Sequence, residues 1–187
     1  MPNYEHHIFV SYRRSDEEWV RWTRENVVRF LRSLLRPALG QVSVYMDETI
    51  ETGASWPEHL ALNHARSRLL VAILSRDYFQ SDWCRLELAL MSARERAAGL
   101  RTQENPGGLI IPLVIDDGDL FPAEIQAIQS ERIHNFANPF MRPDSPRQEE
   151  LAEIIRTRVC PSVERMLQSV PEFDPKCGLH PVWMTPA

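Results

Sequence analysis

The 187-residue sequence predicts one parallel β-sheet with helices packed on both faces, and three observations carry that expectation. Short β-branched or aromatic runs alternate five times with amphipathic stretches, and no internal repeat interrupts them. One run, Leu69-Leu70-Val71-Ala72-Ile73-Leu74, is apolar throughout, as expected of a central strand covered on both sides. Two S-x-x-E capping boxes, Ser15/Glu18 and Ser55/Glu58, announce helices soon after the first and second strands. Right-handed crossovers between successive strands then make the sheet parallel.

In order, His6 to Tyr12 reads as a buried first strand that stops at Arg13-Arg14-Ser15-Asp16. A helix follows on Val20, Val27, Leu31, Leu34 and Leu35 and ends at Pro37; the arginines between them read as its solvated face. Gln41 to Met46 is the second strand, closed by Asp47, and Glu48 to Ala54 is a polar connection. The helix capped by Ser55, with Pro57 in its first turn, runs to about Ser67. After the central strand comes a loop from Ser75 to Ser81, then a helix from Asp82 to about Ala98 that stops at Gly99. Leu109 to Ile115 is a fourth buried strand, and a short helical piece covers Phe121 to Gln129. A weak fifth strand at Ile133 to Phe136 and a helix from Pro146 to Cys160, broken or kinked by Pro161, complete the pattern. This is a flavodoxin-like five-stranded α/β fold over residues 1–160, with 161–187 as a C-terminal extension or tail. Such sheets bind ligands beyond the carboxyl ends of the strands, near the switch between strands one and three.

Composition narrows the chemistry. With 26 acidic against 21 basic residues, the chain has no overall electrostatic reason to bind nucleic acid or an anionic membrane. The only lysine is Lys176, which excludes a G-x-x-x-x-G-K-[ST] phosphate loop. Cys84, Cys160 and Cys177 form no C-x-x-C pair, so neither a disulfide framework nor a thiolate zinc site is expected, and a reducing cytoplasm is the simplest compartment. His59 and His64 are five apart and diverge around a helix, which speaks for ordinary surface or core roles and against a metal. No apolar run reaches the roughly 18 residues needed to span a bilayer, and the polar start resembles no signal peptide. G-x-G-x-x-G, G-x-S-x-G and the acidic pair, aspartate and lysine of a phospho-accepting receiver are all absent.

Three motifs remain, in order: Phe9-Val10-Ser11-Tyr12-Arg13-Arg14; Asp47 through Ile50 with Gly53 and Trp56; and Ser75 through Leu88, which contains Trp83-Cys84-Arg85-Leu86-Glu87-Leu88. Together they closely resemble the TIR (Toll/interleukin-1 receptor-like) domain family over about Tyr4 to Cys160. The resemblance implies one of two activities: hydrolysis of NAD+ between nicotinamide and ribose, or non-enzymatic assembly as an adaptor. The family's catalytic glutamate, read through the W-C-x-x-E-L form, falls on Glu87. Trp83 and Glu87 are i, i+4 and share a helix face.

By the same resemblance, Arg13 and Arg14 stand where family members contact the NAD+ phosphates, a role that suits guanidinium forks, with a helix-leading surface pair as the other reading. Tyr12 and Trp83 offer aromatic faces for adenine or nicotinamide, and Trp83 is equally suited to anchoring the core. Trp56 fits the loop that gates and assembles such domains, Asp47 borders or caps that loop, and Cys84 borders the pocket either as a thiol open to electrophiles or as inert packing. The resemblance implies an enzyme switched on by self-association in defence or cell death, with NAD+ as substrate rather than a bound cofactor. A separate sensor or signal molecule would trigger it, and no membrane or nucleic-acid partner is expected. Arg-rich, Lys-poor usage hints at a bacterial source.

Overall fold

The computed structural model describes residues 3–14, 16–48, 58–116 and 121–174. Five strands, β1 (His6–Tyr12), β2 (Val44–Met46), β3 (Ser67–Leu74), β4 (Ile110–Val114) and β5 (Glu131–Arg132), form one sheet in the order β2-β1-β3-β4-β5. All four pairings are parallel; Ser11 lies beside Ala72 and Tyr12 beside Ile73. The predicted flavodoxin-like architecture is therefore the observed one, with β1 and β3 at its centre and the crossover reversing between them. Leu69 through Leu74 are each at most 2% exposed. Burying one such aliphatic side chain contributes about 1.5–3 kcal/mol.

Helix α1 is built of Glu17–Thr23, a π turn Arg24–Val28 and Arg29–Leu34. Asp16 caps it, accepting the Trp19 N–H at 2.9 Å, while the expected cap Ser15 lies outside the described residues. The helix stops at Leu34, just before Pro37 as expected, and Pro37 itself sits in the first turn of a separate piece, Arg36–Leu39, where its missing N–H costs nothing. Helix α2 covers Glu58–Ala65, and its expected cap Ser55 and Pro57 lie outside the described residues. A 3-10 turn, Asp77–Gln80, leads into α3 (Asp82–Ala97); Gly99 follows with φ of 63°, the left-handed stop expected. Helix α4 is Ala123–Gln126, and α5 joins Pro146–Ile154, a π turn Ile155–Val159 and Cys160–Leu167. Helices α1 and α5 cover one face of the sheet, α2 and α3 the other.

The structure corrects the sequence at three ends. β2 spans only Val44–Met46 of the expected Gln41–Met46. The fifth strand is Glu131–Arg132, and His134–Phe136 is a 3-10 turn. Ile133 and Phe136 are both buried and three apart, a spacing that one helical turn satisfies and strand alternation does not. Helix α5 continues through Pro161 to Leu167, because the preceding π turn places the proline at the start of a new helical segment. Beyond it, the Tyr4 hydroxyl donates to the Pro171 carbonyl at 3.0 Å, and residues from Lys176 and Cys177 onward lie outside the described residues.

Two buried polar devices lock the layers. The Asn26 side-chain Oδ1 on α1 accepts from the Gln148 Nε2 on α5 at 2.8 Å, both residues being at most 3% exposed. On the other side, Glu95 of α3 accepts the Leu109 and Ile110 N–H groups at 2.5 and 3.0 Å and pairs with Arg101 at 2.8 Å. Arg101 in turn donates to the Ile110 carbonyl. Alternation points Ile110 and Pro112 away from β3, toward an edge that β5 does not reach, so these side chains satisfy the outer edge of β4 and Pro112 loses no ladder bond. A Cβ at Gly108 would stand 2.5 Å from the Arg101 guanidinium, the end of a flexible side chain that would have to move off its bonds to Glu95 and Ile110 to admit it. Among the described residues no helix is long and apolar enough to cross a membrane.

Candidate functional site

Successive residues at the carboxyl end of β1 face opposite sides of the sheet, and this alternation divides the expected site. Ser11 points to the α2/α3 face and Tyr12 to the α1 face. On the first face, the 3-10 turn carries Tyr78 and α3 carries Cys84 and Glu87. The helix is aimed by Ser81, whose hydroxyl caps it by accepting the Cys84 N–H.

Glu87 is 5% exposed. Its Oε2 accepts the Ser11 hydroxyl at 2.5 Å, and the Tyr78 hydroxyl lies 2.7 Å from the same Ser11 oxygen. Ser11 has one proton to give, so with Glu87 ionised the order is Tyr78 to Ser11 to Glu87. Below it, His64 of α2 contacts the Glu87 main-chain carbonyl at 3.0 Å. A carbonyl only accepts, so Nε2 carries the hydrogen. Burial lowers His64 to about 4 and keeps it neutral. Of the surface and core roles left open for that histidine, the structure gives it the core one.

Burial is also the main reason that the Glu87 carboxyl rises from 4.5 to about 7; the Ser11 hydrogen bond and the Arg14 charge pull it down, and Asp47 pushes it up. Arg14 and Asp47 form a half-buried ion pair, and the Tyr12 hydroxyl donates to the Asp47 carbonyl at 2.9 Å. Cys84, 4% exposed, directs its thiol to the Tyr12 carbonyl at 3.4 Å. Burial pushes that thiol up to about 12, so it packs as a neutral thiol at physiological pH. Trp83 is half-buried on the first turn of α3, and Trp56 lies outside the described residues.

Glu87, Cys84, Arg14 and Asp47 are thus brought to one side, by contact or charge. Arg13 and the ring of Tyr12 instead line a cleft of about 260 Å³ on the α1 face. Two hydroxyls that anchor the carboxylate, those of Ser11 and Tyr78, have no role legible in the sequence, where nothing local shows that residues 67 apart meet. Among the described residues, no group of three or more His, Cys, Asp and Glu side chains gathers as a metal site requires.

A direct check of this network is the titration of the Glu87 carboxyl by carbon-detected NMR. Ser11→Ala, which removes a donor to the ionised form, is expected to move the midpoint above the parent's value of about 7, and Asp47→Asn to move it below. Equal midpoints in all three proteins would show that neither neighbour acts on the carboxyl.

The family model for the TIR domain matches residues 8–142, well over half of the chain. Among solved structures, the chain is similar to TIR domains in the structure of the activated Roq1 resistosome directly recognizing the pathogen effector XopQ. The identity there is 18%, over 88% of this chain and 83% of that one, with a TM-score of 0.37. No curated protein matches the chain by sequence. The matched span takes in β1 from Ile8 with its Ser11, the switch between β1 and β3, and α3 with its Glu87, and on that match the chain belongs to the TIR domain family.

Proposed function

We propose that the chain is an NAD+ nucleosidase that cleaves the nicotinamide–ribose bond, with Glu87 as its catalytic residue. The observation that carries this reading is a buried carboxylate at the carboxyl end of the central strands that enters no ion pair among the described residues and is held by Ser11 through Oε2 alone. Its Oε1 has no hydrogen bond among the described residues and is the oxygen offered to the ribose hydroxyls.

One carboxylate suffices for this reaction. Ordinary glycoside hydrolysis uses two, one of them to protonate a poor leaving group. Here the C1′–N bond breaks with its electron pair going to the pyridinium nitrogen, so nicotinamide leaves neutral and no acid is needed. The ribose becomes oxocarbenium-like, and Glu87 places negative charge where positive charge develops. Water then adds to C1′ and loses its proton, giving ADP-ribose; attack by a group of the same molecule gives a cyclic isomer. The Arg14–Asp47 pair stands beside the carboxylate, where a guanidinium fork meets the pyrophosphate.

Activity is coupled to self-association through TIR–TIR contacts, triggered by a separate sensor or a signal molecule, and serves defence or cell death. The buried free thiols Cys84 and Cys160 suit a reducing cytoplasm. The test is nicotinamide release from NAD+ at low and high protein concentration and under crowding, with Glu87→Ala alongside. Release that grows faster than linearly with protein and vanishes in the variant supports the reading. No release under forced assembly assigns the chain to the adaptor class, and equal release by the variant removes Glu87 from the reaction.

A further inference from the structure

Tyr78 is fully buried and has no hydrogen bond to Glu87; its hydroxyl reaches the carboxylate only through Ser11. Its place is fixed from two sides. The main-chain N–H donates to the Ser75 hydroxyl oxygen at 3.1 Å, and the ring meets Phe79 edge-on with centroids 5.3 Å apart. Burial pushes the phenol well above its ordinary range, so the hydroxyl keeps its proton and remains a donor. The Ser11 hydroxyl is by contrast a rotor, with one proton, two lone pairs and three staggered positions about χ1. With Glu87 ionised, one neighbour of Ser11 is a donor and the other an acceptor. An Oγ that accepts from Tyr78 at 2.7 Å keeps its own proton for Oε2 of Glu87. Bonds chained in this way polarise one another, so the second is stronger for the first.

We propose that Tyr78 is a positioning residue for nicotinamide–ribose cleavage: it pins the Ser11 hydroxyl, and Ser11 in turn holds Glu87 by Oε2 and leaves Oε1 for the ribose. The proposal rests on the reading of Glu87 as the catalytic residue. The three residues lie far apart in sequence and meet because β1, which carries Ser11, lies beside β3, and the turn with Tyr78 and then α3 with Glu87 follow β3 directly. Without the Tyr78 hydroxyl, Ser11 is free to turn to another partner and the carboxylate loses its fixed orientation. That costs rate more than substrate binding. The other titratable or charged groups around the carboxyl are Arg14 after β1, Tyr45 of β2, Asp47 after β2, His64 of α2 and Cys84 of α3. All of them are common to the parent and to a variant that lacks one phenolic oxygen, so a difference between the two belongs to Tyr78.

The experiment sets the parent beside Tyr78→Phe, Ser11→Ala and the double variant, with circular dichroism and melting checked for each. Two readouts are taken: kcat and KM for nicotinamide release across the pH range, and the Glu87 midpoint by carbon-detected NMR. Tyr78→Phe is expected to lower kcat by about tenfold while KM changes by less than about twofold. It is expected to raise the Glu87 midpoint, and with it the pH profile of kcat, by about half a unit. In the Ser11→Ala background the same substitution is expected to add nothing to either effect, because Tyr78 acts only through Ser11. A ring that merely packs would change the melting temperature and leave the midpoint alone. If Tyr78→Phe does not fold, 3-fluorotyrosine in place of Tyr78, a stronger donor of nearly the same shape, is expected to lower the midpoint, and an unmoved midpoint there overturns the proposal. Unchanged kcat or an unchanged midpoint in Tyr78→Phe also overturns it, as does a shift that persists undiminished in the Ser11→Ala background. A parent that releases no nicotinamide fails the catalytic reading instead, and the midpoints still decide whether Tyr78 acts on Glu87.

Discussion

Replacing Glu87 by Gln is expected to yield a domain more stable at pH 8 than the parent, and one that has lost nicotinamide release by about a hundredfold or more. The two effects have one cause. The carboxyl is raised from 4.5 to about 7, chiefly by burial, so the folded chain binds its proton more tightly than the unfolded chain does. Stability from this group is fully present below pH 4.5 and is lost as the pH rises through about 7. The loss amounts to about 3 kcal/mol. Glutamine does not titrate, so the difference in urea midpoint between variant and parent should widen from pH 5 to pH 8. His64 has the opposite sign: lowered from 6.5 to about 4, its contribution is present above pH 6.5 and is lost as the pH falls through about 4. It is common to both proteins and cancels in the comparison. A constant difference across the range would show that Glu87 is not the buried charge in question. On the proposed function the expected result is a trade of stability for activity, a buried carboxylate being costly to the fold at high pH.

Glu95→Leu is the second large effect, expected to destabilise the domain by about 3 kcal/mol or more, with unchanged secondary structure at low denaturant. Glu95 is 4% exposed and, through one oxygen, satisfies two N–H groups where the chain enters β4. Its other oxygen holds Arg101, which also satisfies the Ile110 carbonyl. Leucine leaves both N–H groups and the guanidinium without their partner, on an edge that β5 does not cover. Glu95→Gln keeps one acceptor oxygen but sets an amide against the guanidinium, so its loss should fall between those of leucine and the parent. Denaturant unfolding of the three proteins gives the order directly. A leucine variant as stable as the parent would mean that water replaces the carboxylate at that edge.

The sequence made much of the frame legible. The uninterrupted run from Leu69 to Leu74 marks the central strand, Gly99 marks the end of α3, and the W-C-x-x-E-L spacing puts Glu87 one helical turn beyond Trp83. These are local features, governed by periodicity, capping and backbone freedom over a few residues. Where local cues competed with packing, packing won. Ile133 and Phe136 read as strand residues, yet both enter the core on a 3-10 turn, and Pro161 reads as a break, yet a π turn absorbs it.

The site divides along the same line. The sequence by itself determined that a carboxylate, two arginines and several aromatic rings would collect at the carboxyl ends of β1 and β3, because strand order and crossover hand follow from the alternation of elements. Only the tertiary structure decided that Ser11 and Tyr78 hold Glu87, that Arg14 joins Asp47 on that side, and that Arg13 and the Tyr12 ring face a different cleft. The physical reason is that side chains alternate across a strand with a period of two, which shows that neighbours part but not which helix each will meet. That choice, and with it the burial that sets the Glu87 carboxyl near 7, is made by helices packing from positions 50 to 80 residues away along the chain.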